Sequence, residues 1–146
     1  MLSFYEYANS SFGHKVNKSA RLITQKLAKN FRDNDVGVTT EQWKILLYLY
    51  REDGQTQSSL AESTGKDEPC VSRLIDTMEK HNLVLRTRHP FDRRTNLIYI
   101  TEKGKNIKEA LMDLGQKTNV ELTQGIAQEE IDACIRVLNK VIDNLS

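Results

Sequence analysis

Residues 56–107 read TQSSLAESTGKDEPCVSRLIDTMEKHNLVLRTRHPFDRRTNLIYITEKGKNI, and the period of the apolar residues changes within them. Val71, Leu74, Ile75 and Met78 stand at i, i+3, i+4 and i+7, which is one buried stripe of a helix. Asp67 is its N-cap, and Pro69 falls in the first turn, where a missing amide donor does no harm. A shorter helix precedes it, opened by Thr56 and closed by Gly65, and it needs tertiary packing to form. After Asn82 the period becomes two. LVLRTRH and NLIYIT are β-rich runs joined by PFDRRT, which predicts a hairpin with a longer loop.

At about 100° per residue, Pro69, Ser72, Arg73, Asp76 and Lys80 lie opposite the apolar stripe, with Cys70 and Thr77 on the flank. Small residues at the start of that face suit close approach to a surface. Arg93 and Arg94 pose the same question at the hairpin tip, where Gly, Asn or Asp is usual. They are either solvated or aimed at a partner.

Longer helices flank this segment. Upstream, Phe12, Val16, Ala20, Ile23, Leu27 and Phe31 recur at steps of three and four, predicting a long amphipathic helix. The next helix starts at Thr39, where Gln42 completes a capping box and Val38 and Trp43 hold the staple positions. Its expected buried face is Trp43, Leu46, Leu47 and Tyr50. Downstream, Thr101 is expected to cap one continuous helix to about Thr123, and Gly125 breaks the chain. The last helix carries an apolar stripe from Ile131 to Leu145, in which Cys134 reads as a small buried hydrophobe.

The net charge of +1 conceals segregation. Residues 86–108 carry seven Lys/Arg against Asp92 and Glu102, a net of +5, while residues 109–146 come to −4. Such a basic segment suits either a solvated face or a contact with a polyanion. No stretch approaches the roughly 18–20 apolar residues that span a bilayer, and the N-terminus lacks a leader pattern, so a cytoplasmic protein is expected. Cys70 and Cys134 are too far apart in sequence for a CxxC pair, and His14, His81 and His89 are scattered. No paired carboxylates, nucleophile with its base, or phosphate-cradling glycine loop points to an enzyme or to a cofactor.

The order helix, helix, short helix, short helix, hairpin is that of the winged helix-turn-helix. Residues 36–108 resemble the core of the MarR family of bacterial transcription regulators. The family's wing has Asp, any residue, Arg, then a strand ending Leu-Thr before Glu-Lys-Gly. Here the positions are Asp92, Arg93, Arg94 and Ile100, Thr101, Glu102, Lys103, Gly104. Ile100 replaces the usual leucine, and Asn82 the usual glycine after the recognition helix. Asparagine tolerates left-handed backbone better than most residues, so the turn is expected to survive.

The resemblance implies a mainly α fold with a small antiparallel β hairpin, as one MarR-like domain over 1–146. A winged lobe at 37–105 would sit between helical dimerisation regions at 1–36 and 106–146. It implies a homodimeric repressor on double-stranded DNA with a pseudo-palindromic operator, released by a small aromatic or amphipathic effector. Arg94 would enter the minor groove and Asp92 would shape the wing, unless the two simply form a surface ion pair. Arg86, Arg88 and Arg93 would touch phosphates, as would Ser58 and Ser59. Arg73 would read a base, or contact phosphate alone, with Pro69, Cys70, Ser72 and Thr77 beside it. Trp43, His14 and Tyr48 are candidates for an effector cleft, although Trp43 equally suits the core. Two other classes stay open: a winged-helix module for protein contact, and a ligand-binding or enzymatic dimer without specific DNA binding.

Overall fold

Side-chain caps start most of the helices in the computed structural model, which describes residues 1–146. The elements in chain order are α1 (Phe4–Ser10), α2 (Phe12–Asp33), α3 (Thr40–Arg51), β1 (Gln55–Thr56), α4 (Gln57–Thr64) and α5 (Glu68–Lys80). Then come β2 (Val84–Arg88), β3 (Asn96–Ile100), α6 (Glu102–Asn106), α7 (Lys108–Leu122) and α8 (Gln128–Leu145). At α3 the Gln42 amide donates to Thr39 Oγ1 and the Thr39 amide to Gln42 Oε1, both at 3.1 Å, the expected capping box. Asp67 Oδ1 accepts from the Cys70 amide at 2.8 Å and Thr56 Oγ1 from the Ser59 amide at 3.0 Å. The helix starts expected there are therefore in place.

Behind α5 the turn works as anticipated. Asn82 has φ +58°, its amide donates to Glu79 O, and the Leu83 amide donates to Met78 O. That pair of bonds is a Schellman closure, with asparagine in the left-handed position usually held by glycine. It turns the chain into β2, where Leu83 and Val84 enter a core shared with Ile45, Leu46 and Leu49 of α3, Leu60 of α4 and Ile75 of α5. α5, the hairpin and α3 are thus locked by one apolar centre.

Several expectations change. The hairpin is the larger part of a three-stranded antiparallel sheet ordered β1-β3-β2, since Gln55 and Thr56 pair with Ile98 and Leu97. Two residues are too few to leave a periodic signal. On α3 the buried face is centred differently: Leu47 is exposed, while Ile45 and Leu49 flank Leu46 in the core. The helix expected from Thr101 to Thr123 is interrupted at Ile107. α1 forms a separate short helix on its own capping box at Ser3, and none of its residues is buried. Nor does α8 bury any residue, and Cys134 is exposed in place of the expected burial. No element of this chain covers the stripe. No helix is long and apolar enough to cross a membrane.

Tyr50 joins the winged part to α6. Its hydroxyl donates to Gly104 O at 2.7 Å, and burial pushes its phenol from 10.0 up to about 12. The folded state therefore favours the neutral, bonded phenol. That contribution is complete below pH 10 and is lost as pH rises toward about 12. A Tyr50→Phe variant should show a flatter decline of stability above pH 10 than the wild type. Chemical unfolding at several alkaline pH values, beside an ultraviolet titration of phenolate, measures this; parallel declines would remove Tyr50 as the cause.

Candidate nucleic-acid interface

The start of α5, the start of α4 and the inner edge of the wing enclose one polar concavity of about 370 Å³. Ser58 comes from α4, Pro69 and Ser72 from α5, and Arg94 from the wing. The structure thus brings together four residues singled out from the sequence on three separate elements. Gln57, Glu68, Thr95 and Asn96 complete the lining, and nothing in the sequence pattern distinguished them from ordinary surface residues.

Asp92 shapes the wing through the backbone. Its Oδ1 accepts from the Arg94 amide at 3.0 Å and its Oδ2 from Thr95 Oγ1 at 2.9 Å. The Arg94 amide and the Thr95 hydroxyl, in that order, hold the carboxyl below its ordinary pKa. The bond goes to the Arg94 amide and not to its guanidinium, so the ion-pair alternative does not describe this wing. The loop is closed by the His89 amide donating to Thr95 O and the Thr95 amide to Asp92 O. Arg73, Arg88, Arg93 and Arg94 are all exposed and engage in no ion pair.

Arg86 is different, because acceptors within the chain already occupy most of the donors expected to reach phosphate. Its Nε donates to Gln57 Oε1 at 2.7 Å, and its Nη1 to Asp76 Oδ1 at 2.6 Å and Glu79 Oε1 at 3.0 Å. Its Nη2 donates to Ser72 O at 3.2 Å. Four of the five guanidinium N–H groups are thus engaged inside the lobe, tying β2 to α4 and α5. Alternation places it there: Arg86 pairs with the buried Ile98 on the inward face of the sheet, whereas Arg88, two positions on along the same face, is exposed.

Ser59 is likewise engaged within the chain, its hydroxyl donating to Gln55 Oε1 at 3.1 Å, which leaves Ser58 as the exposed hydroxyl of the pair. Thr77 is exposed, but its hydroxyl donates back to Arg73 O at 3.2 Å. Cys70 is half-buried on the flank of α5.

The three candidates for an effector cleft do not meet. Trp43 is in the core, edge-on to Phe31 with ring centroids 6.1 Å apart. Tyr48, five residues on, lies on another side of α3 in a surface hollow with Lys44, Arg51 and Thr64. His14 is half-buried near the start of α2, and none of the larger cavities is lined by more than one of the three. The largest cavity, about 770 Å³, is an open apolar groove between α2, α7 and α8.

Residues 38–95 match the MarR family model. Among solved structures, a MarR mutant from E. coli complexed with operator DNA is 23% identical, with a TM-score of 0.84 over 96% of this chain and 99% of that one. The transcriptional repressor CouR bound to a 23-mer DNA duplex is 22% identical, with a TM-score of 0.85 over 97% and 99%. CouR from Rhodococcus jostii RHA1 bound to p-coumaroyl-CoA is 19% identical, with a TM-score of 0.78 over 91% and 92%. At these identities the likeness to solved structures establishes the fold.

Proposed function

We propose, from the match of residues 38–95 to the MarR family model and the likeness of the whole chain's fold to solved MarR structures, that this protein is a transcription regulator that binds operator DNA as a homodimer and represses by occluding it. The observation that carries the reading is the polar concavity between α5 and the wing, together with four guanidiniums that have no partner inside the chain. A polyanion supplies that partner. Arg94 enters a minor groove, where a narrow groove concentrates negative potential, and Arg73 presents its fork to a guanine in the major groove. Arg88, Arg93 and Ser58 lie along phosphates.

The dimer rests on residues 1–36 and 106–146. The apolar groove between α2, α7 and α8 is open, and Ile135, Ile142 and Leu145 are exposed on α8. A second copy covers them and sets two recognition helices about one DNA turn apart, roughly 34–36 Å. Since CouR has been solved with p-coumaroyl-CoA, a small aromatic or amphipathic effector is the inducing ligand we favour. Trp43, His14 and Tyr48 share no cavity within one chain, so a site built from all three is not part of this proposal.

Duplexes selected by the protein from a random pool, titrated by gel shift across salt concentrations, test the reading. Arg94→Ala should weaken binding about tenfold on every selected duplex and reduce the log–log salt slope by about 0.9. Arg73→Ala should relax preference at one base position per half-site, by ~1–3 kcal/mol. If the wild type selects no duplex, or both variants bind as it does, the winged helix-turn-helix serves protein contact instead.

A further inference from the structure

Phe91 is 93% exposed at the tip of the wing. An isolated exposed apolar residue is ordinary, but this one stands where the loop is otherwise polar and its backbone is fixed. The Phe91 amide donates to His89 Nδ1 at 3.1 Å, the two rings lie 6.1 Å apart, and the Asp92 bonds secure the next residues. A flexible loop would let the ring fold back onto the sheet. Here the turn holds it outward, three residues from Arg94 and beside Arg93, whose guanidiniums have no partner in the chain.

We propose that Phe91 is an apolar minor-groove contact that packs against the deoxyribose walls beside the inserted Arg94. This deepens the DNA-binding reading and rests on it. Sugar edges are the apolar surface a minor groove offers, and a ring placed there is removed from water without displacing a phosphate counterion. The contact adds affinity that salt does not screen, and it favours sequences whose groove width accepts both the ring and the guanidinium.

The test uses the full chain and a duplex that the wild type selects from a random pool. Phe91→Ala should bind it about tenfold more weakly with the salt slope unchanged, whereas Phe91→Leu should keep most of the affinity. Hydroxyl-radical footprinting, which attacks the sugars, should show that Phe91→Ala loses protection only at the wing positions. Thermal unfolding of Phe91→Ala should match the wild type, since the side chain touches no core residue. If Phe91→Ala binds and protects sugars as the wild type does while Arg94→Ala is weakened, the apolar contact is overturned and DNA binding stands. If neither substitution matters, the wing takes no part in binding and this proposal falls, whereas the DNA reading fails separately if the wild type selects no duplex.

Discussion

Gly104→Ala is expected to lower the stability of the chain by about 2–3 kcal/mol, although it adds a better helix former inside α6. A Cβ at this position would lie 2.5 Å from Leu83 O and 2.6 Å from Ile100 Cγ2. The first neighbour is backbone and has no room to yield. Leu83 is buried, and its carbonyl accepts from the Thr101 amide at 3.1 Å, so moving it opens the junction between β3 and α6. The helix-propensity gain of alanine over glycine, roughly 0.5–1 kcal/mol, has the opposite sign and is outweighed. Urea unfolding should give a lower midpoint with an unchanged slope. Displacing α6 should also lengthen the bond from Tyr50 to Gly104 O and admit water to the ring, and that lost burial brings the Tyr50 phenol back from about 12 toward 10.0. An alanine variant as stable as the wild type would show that the close approach of α6 to Leu83 is not needed.

Gly104 also marks how far the sequence could be read. Its place in the Glu-Lys-Gly stretch was legible as a pattern, but the reason for glycine is a contact with a carbonyl 21 positions earlier, which no local period records. Local signals were sufficient for much of the winged segment, though they missed the Ser3 capping box that starts α1. The Thr39 capping box, the 3.6 period of α5 and the left-handed Asn82 depend on residues at most a few positions apart, as does the Asp92 turn that the resemblance implied. They gave the winged segment its order and its outward arginines. What depended on pairing at a distance was lost: the two-residue β1, the interruption at Ile107 and the rotation of α3 that buries Ile45 in place of Leu47. The three effector-cleft candidates stand apart in the chain for a geometric reason. Trp43 and Tyr48 are five positions apart on one helix, about 140° around its axis, so residues grouped by aromatic character point into different surroundings. Cys134 and the α8 stripe had the correct period, yet the period does not say whether the covering surface belongs to the same chain.

Arg86→Ala is the sharper case, because the family resemblance placed it with the phosphate-binding arginines. Removing the guanidinium takes away the donor to Gln57, to Ser72 O and to both Asp76 and Glu79. Two carboxylates three residues apart on α5 then face each other without a cation. The Arg86 side chain is 20% exposed and that of Asp76 53%, so solvent screens part of the loss. We expect about 2 kcal/mol of destabilisation, below the full value for breaking a buried pair. DNA affinity should fall as well, because α5 is no longer fixed to β2 and α4, but through a different physical route from that of Arg94. A phosphate ligand takes about 0.9 from the log–log salt slope when it is lost; a brace leaves the slope where it was. Arg86→Lys separates the two further, since it keeps the charge and loses the fork that reaches four acceptors at once. A brace predicts that lysine behaves like alanine, and a phosphate contact predicts that it behaves like arginine. The pairing itself is checked by a double-mutant cycle: Asp76→Ala should destabilise the wild type and have little effect in the Arg86→Ala background. Additive losses, with lysine restoring DNA affinity, would return Arg86 to the phosphate-binding set.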